Sequence, residues 1–170
     1  HFQCYKTRLS DFDDGKASQL GDFLPQKLGM EQGESVVQAV LPGDYGGFML
    51  FLFENGKAAK IPLSAYETKT NRRRLTGAYS DKSPLKTALC MAQDGQVAAF
   101  TSDNRALVFS TALLAPKATR TTQGVAAVTL RRKAVLSFAV ELEQSGLADP
   151  ARYRCRTLPA AGAVLRPEDM

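Results

Sequence analysis

Histidine is all but missing from this 170-residue chain: the one copy is His1, and tryptophan is absent altogether. Without an internal imidazole there is no central member for a Ser-His-Asp triad, a Cys-His pair or an ordinary zinc site. Cysteine is scarce too. Cys4, Cys90 and Cys155 are odd in number, widely spaced and free of any Cys-x-x-Cys pair. They fit reduced thiols of the cytoplasm better than a disulfide framework. No apolar run nears the roughly 20 residues that span a bilayer. The longest, Phe48–Phe53, reads as a buried strand, and no membrane role is expected. The N-terminus does not have the basic start, apolar middle and small-residue cleavage site of a signal peptide. Neither a GxxxxGK[ST] phosphate loop nor a G-x-S-x-G elbow occurs, so no catalytic residue, cofactor or active site is read from the chain. Asp11, Asp13 and Asp14 cluster before Gly15, but a calcium loop counted from Asp11 would put Lys16 at its sixth place and Asp22 at its twelfth. That loop needs glycine and glutamate there, so the cluster reads as an acidic turn and no metal is expected.

What is present is apolar content of 44%, enough for a folded core in one domain of this length. The net charge of +5 hides an asymmetry. Residues 57–133 hold 14 basic and 4 acidic residues, a net +10, and the remainder holds 8 and 13, a net −5. Between Asn104 and Leu136 there is no acidic residue. A basic middle between acidic ends points to one face built for a polyanion.

Short apolar or alternating runs follow one another with turn signals between them, and helical periodicity is nearly absent. Tyr5–Leu9, Val36–Leu41, Gly47–Phe53, Ala58–Leu63, Leu85–Ala92, Gln96–Thr101, Arg105–Thr111, Val125–Leu130, Ala134–Glu141 and Arg152–Thr157 all read as strands. Glu54-Asn55-Gly56 marks a hairpin, and Pro62 marks a strand end. Residues 16–33 read as a long connection, Glu141–Leu147 as a short helix, and Leu165–Met170 as a frayed tail. The fold class is all-β.

A pattern of strand, landmark, loop and glycine repeats. Landmarks fall at Leu9, Leu63, Thr111 and Leu158, and a glycine follows each: Gly21 or Gly29, Gly77, Gly124 and Gly162. A period near 50 with about four strands per unit points to a propeller-like array. The expected units are 34–85 and 86–136 as equivalent blades, with 1–33 completed by 137–170. Pairing of that C-terminal segment with Tyr5–Leu9 would cover an open sheet edge.

With these features in one order, the chain resembles the C-terminal domain of the A subunit of bacterial type IIA topoisomerases, DNA gyrase and topoisomerase IV. The likeness runs over most of residues 4–136. It is most specific at Tyr5–Phe12 with the following KASQLGDFLPQKLG, and at Phe48–Gly77. The resemblance implies a β-pinwheel of few blades, a disc whose blades exchange a strand and whose basic rim bends DNA. It also implies a non-catalytic domain whose partners are double-stranded DNA, the rest of the A subunit and the ATPase-bearing B subunit. Gyrase carries a Q-R-R-G-G-K-G loop where this chain has Asn71-Arg72-Arg73-Arg74-Leu75-Thr76-Gly77. Two arginines and the last glycine match. Leu75 cannot bring backbone close to a phosphate as glycine does, so the box reads as closer to topoisomerase IV.

Duplex DNA is a dense line of phosphates, and cations on loops neutralise it without reading bases. The candidates are Lys69, Arg72, Arg73 and Arg74 on the first loop and Lys117 and Arg120 on the second. Arg131, Arg132 and Lys133 form a third cluster, and Lys57, Lys60 and Arg105 extend the stripe along strand faces. In a radial array these clusters would fall around one curved rim. Tyr66 and Tyr79 are expected in packing, as are Phe48, Phe51, Phe53, Phe100 and Phe109. The competing reading is a protein–protein module whose basic face meets an acidic partner; its support is the acidic first segment, Asp11–Glu34, which could dock on a basic surface of its own enzyme.

Overall fold

The computed structural model describes residues 2–69 and 73–169. In chain order the strands are β1 (Gln3–Tyr5), β2 (Phe48–Phe53), β3 (Lys57–Pro62), β4 (Arg74–Thr76), β5 (Leu85–Met91), β6 (Gln96–Thr101), β7 (Arg105–Ser110), β8 (Val125–Ala126), β9 (Leu136–Glu141) and β10 (Ala163–Val164). The one α-helix among the described residues, α1, is a single turn and a half at Leu24–Leu28. All strand pairing is antiparallel, in three sheets ordered β1-β4, β5-β2-β3-β8 and β9-β6-β7-β10.

The two four-stranded sheets share one plan. In each, a hairpin (β2–β3 or β6–β7) takes the next six- or seven-residue strand of the chain (β5 or β9) on one side and a two-residue strand led by a glycine (β8 or β10) on the other. Lys57 and Ala58 pair with Ala126 and Val125, as Arg105 and Ala106 pair with Val164 and Ala163. The registers shift at the same place, between Leu52 and Phe53 in one sheet and between Phe100 and Thr101 in the other. Gly124 and Gly162 both have positive φ, 73° and 67°. A Cβ on Gly124 would lie 2.1 Å from the Ala58 carbonyl oxygen, and one on Gly162 would lie 2.3 Å from that of Ala106. Only glycine lets the backbone pass that close in that conformation, so glycine at these two equivalent positions has a steric cause.

The β2 sequence FMLFLF shows no alternation because both its faces are covered, and all six residues are buried. Phe48, Leu50 and Leu52 enter the core between the two large sheets with Val97, Ala99, Leu107 and Phe109. Met49, Phe51 and Phe53 pack on the other face with Ile61, Leu63, Tyr66 and the half-buried Cys4. Ala98, Phe100, Ala106 and Val108 form the outer face of the second sheet and meet Tyr153 and Leu165. The five phenylalanines expected in the core are there. Tyr66 donates to the Ala78 carbonyl over 2.6 Å, and Tyr79 stacks on Phe51 at 5.3 Å.

Several sequence expectations need correction. The segment after Leu136 does not pair with the first strand: β1 pairs with β4, while β9 and β10 flank β6 and β7. As far as Asp169 the tail does not fray. It seals the outer face of the second sheet, where Tyr153 donates to Asp169, and Asp169 accepts from Arg152 over 2.8 Å. Val36–Leu41 forms no strand; Val36, Val37 and Leu41 are exposed and Val40 alone of the four packs. Around Arg152 the chain turns in a 3-10 helix, Pro150–Tyr153, opened by its proline, and touches the sheet through one bridge from Arg154 to Val108. The landmarks Leu9, Leu63 and Thr111 each start a 3-10 turn, whereas Leu158 does not. The helix expected at Glu141–Leu147 is a 3-10 turn at Leu142–Gln144.

Candidate nucleic-acid interface

The site grows from the two landmark turns. At the first, Leu63–Tyr66, the buried Leu63 and Tyr66 anchor the turn, and Glu67 and Lys69 just beyond it are exposed. Burial drives the Tyr66 hydroxyl above its ordinary range, so it stays protonated and structural. Lys69 and Arg73 are exposed on the first loop, and the Arg73 carbonyl accepts from the Lys6 backbone N–H over 2.6 Å. Arg72 lies outside the described residues. Arg74 opens β4 with its side chain half exposed and ion-paired to Glu31 at 2.8 Å.

At the second landmark, Thr111–Leu113, the loop that follows turns back along β3. The Lys117 backbone N–H donates to the Lys60 carbonyl over 2.8 Å while its side chain stays exposed. Arg120 then reaches across to the first loop. Its guanidinium donates to the carbonyls of Ala65 (2.9 Å), Gly77 (3.2 Å) and Thr76 (3.5 Å), and it lies over the Tyr66 ring. A planar fork with five donors suits three carbonyls on two strands of backbone. Arg120 thus joins the two landmark loops, and Lys69, Arg73 and Lys117 sit on the joined surface.

Three of the sequence candidates build the fold instead of facing solvent. Alternation along β3 sends Lys60 the same way as Ala58, into the seam between the large sheets. There it is 8% exposed, pairs with Asp94 at 2.6 Å, donates to the Thr111 carbonyl over 3.2 Å and lies 4.5 Å from the centre of the Phe48 ring. Hydrogen bonds from Lys60 and Thr111 hold the Asp94 carboxyl below its usual range. Arg105 donates to the Gly162 carbonyl over 3.0 Å and pairs with Asp103, clamping β10 to β7. Arg120 is the third. Lys57 is intermediate: half-buried, it donates to Gln123 over 3.2 Å.

Arg131, Arg132 and Lys133 are all exposed, in a turn closed by the Ala134 N–H on the Arg131 carbonyl at 2.8 Å. They line an open depression with Ser102 and Asp103 of the β6–β7 turn. Since β3 and β7 run from their hairpin turns to the landmark turns, this cluster lies at the other end of the strands from the landmarks. The single stripe expected from the sequence is therefore two surfaces. Sequence reasoning passed over Lys6, which donates to Thr68 over 2.9 Å and lies over the Tyr45 ring, and over the exposed Arg8. Both lie in the acidic flank, where the charge count gave no signal.

No group of three or more metal-type side chains occurs among the described residues, and no helix there is long and apolar enough to cross a membrane. No protein-family model matches the chain, and neither does any curated protein. Among solved structures, the C-terminal domain of DNA topoisomerase IV is similar over 82% of this chain with a TM-score of 0.67 and 19% identity. The fold is a topoisomerase-type β-pinwheel. The chain spans 44% of the length of that pinwheel domain. The C-terminal domain of DNA gyrase A and that of E. coli ParC each match 61% of this chain at 16% identity and a TM-score of 0.47, over 33% and 42% of their own lengths.

Proposed function

We propose that this pinwheel binds duplex DNA without regard to sequence, as a non-catalytic accessory domain of a type IIA topoisomerase A subunit. The observation that carries the reading is the pair of landmark loops joined by Arg120, which presents Lys69, Arg73 and Lys117 to solvent on a fold shared with a topoisomerase IV C-terminal domain. Lysine and arginine on exposed loops bind phosphates by releasing counterions and carry no base code. Arg72 and Arg74 extend the same surface by sequence position, and Arg131–Lys133 offers a second contact further along a bent duplex. A duplex held at both ends of the strands follows a curved path, so binding favours deformable DNA. The degenerate box, in which Leu75, buried in β4, stands where gyrase has a glycine, supports a parent closer to topoisomerase IV than to gyrase. The remaining A subunit and an ATPase-bearing B subunit are its partners, and no cofactor is called for.

The test is a titration with two unrelated duplexes over a range of salt. Tight, sequence-indifferent binding whose log affinity falls steeply with log salt supports the reading. A second reading, capture of an acidic protein segment, is favoured by the Arg74–Glu31 pair, in which a carboxylate already occupies the basic loop. Absence of duplex binding at low salt would support that reading over the first.

A further inference from the structure

The basic loop is partly covered by the chain itself. Residues 9–46 hold seven acidic side chains against Lys16 and Lys27, and beyond α1 and one 3-10 turn they form no regular structure. Leu20, Phe23 and Leu41 of this segment are exposed, so it is not held down by a core of its own. Polar contacts tie it to the pinwheel. Glu31 pairs with Arg74 at 2.8 Å. Glu34 accepts from the Tyr5 hydroxyl and, over 2.7 Å, from the Glu31 N–H, which fixes the turn that presents Glu31 to β4. Asp11 accepts from the Arg8 N–H and the Thr7 hydroxyl, and the positive charge of Arg73 is near enough to add to the lowering of its carboxyl. Lys27 is paired within the segment, to Asp22 at 3.1 Å, and lies over the Phe12 ring.

We infer that residues 11–34 form an acidic strap that competes with DNA phosphates for Arg74. The inference rests on the DNA-binding reading above and adds a regulation of that same surface. Strap and phosphate carry the same charge and need the same guanidinium, so one must leave for the other to bind. The Glu31–Arg74 pair is about half exposed on both sides, 48% and 44%, and pairs of that kind are readily displaced. The strap therefore lowers affinity without abolishing it, and it weakens as salt rises.

The experiment compares Glu31→Gln with Glu143→Gln, which removes the same charge from an exposed position in the Leu142–Gln144 turn. Duplex affinity is measured at low and moderate salt, alone and in an Arg74→Gln background. Glu31→Gln is expected to tighten binding about two- to fivefold at low salt, to steepen the log–log salt slope by up to about 0.9, and to do neither once Arg74 is gone. Equal effects of Glu31→Gln and Glu143→Gln, or a Glu31→Gln effect that survives loss of Arg74, would mean a general charge effect and overturn the strap. Steep salt-dependent binding that Glu31→Gln leaves unchanged also overturns the strap but leaves the DNA reading intact. If neither wild type nor variant binds duplex at low salt, both fall.

Discussion

Lys60 and Lys117 meet through one hydrogen bond, from the backbone N–H of one to the carbonyl of the other, yet their side chains have opposite fates. Lys60 points between two sheets and is held by Asp94, Thr111 and the Phe48 ring; Lys117 points to water. The same division runs through the whole basic middle. Lys60, Arg105 and Arg120 satisfy carboxylates and carbonyls inside the pinwheel, while Lys69, Arg73, Lys117 and Arg131–Lys133 face solvent. Charge alone therefore does not mark a DNA contact. What decides is whether the cation already has fixed partners that a phosphate would have to replace.

That division is open to attack by mutation. The largest effect is expected at Lys60. Lys60→Met keeps the stem but leaves Asp94 with the Thr111 hydroxyl in place of its cation, and takes one of two donors from the Thr111 carbonyl. Asp94 is 45% exposed and can rehydrate, so the cost in a urea melt should be about 2 kcal/mol, below that of a fully buried pair. Next is Arg120→Ala, which frees three backbone carbonyls and separates the two loops; a loss of roughly 1–2 kcal/mol is expected. Arg120→Lys should recover little of it, since an ammonium cannot bridge carbonyls set for a fork. A melt unchanged by either substitution would erase the distinction between building and binding cations.

The smallest effect is in pH. Asp94 titrates below its ordinary value of 3.8 in the folded chain because Lys60 and Thr111 donate to its charged form. A depressed folded value contributes stability that is complete above the unfolded value and is lost as pH falls through the folded one. Stability should therefore drop on acidification below about 3.8, and Asp94→Asn should remove that part of the slope while Glu143→Gln leaves it.

Much of the fold was legible because it rests on side chains. The apolar β2, β6 and β7 and the Asn55-Gly56 hairpin announce themselves, and Gly124 and Gly162 each mark a backbone crossing that only glycine allows. The pairing of β1 with β4 was not legible, since three residues held by backbone hydrogen bonds leave no pattern. Exposed Val36, Val37 and Leu41 imitate a strand, but the chain there joins no sheet. In the candidate site, the parity of Ala58 and Lys60 against Ala59 and Ile61 held the clue to Lys60, because β3 lies beside a strand that is apolar on both faces. Arg120 had no such clue: it sits in a loop, and its three carbonyl partners lie 43 to 55 residues away.

The most direct test of the division sets a loop variant, Lys69→Gln with Arg73→Gln and Lys117→Gln, beside Lys60→Met at a temperature where both are folded. Duplex affinity is followed against salt for each. The loop variant should melt within about 0.5 kcal/mol of wild type and lose up to about 2.7 from the log–log salt slope, some 0.9 for each phosphate contact. Lys60→Met should keep the wild-type slope. A loop variant with an unchanged slope, or a Lys60→Met protein whose slope becomes shallower, would show that DNA runs over a different face of the pinwheel from the one presented by its landmark loops.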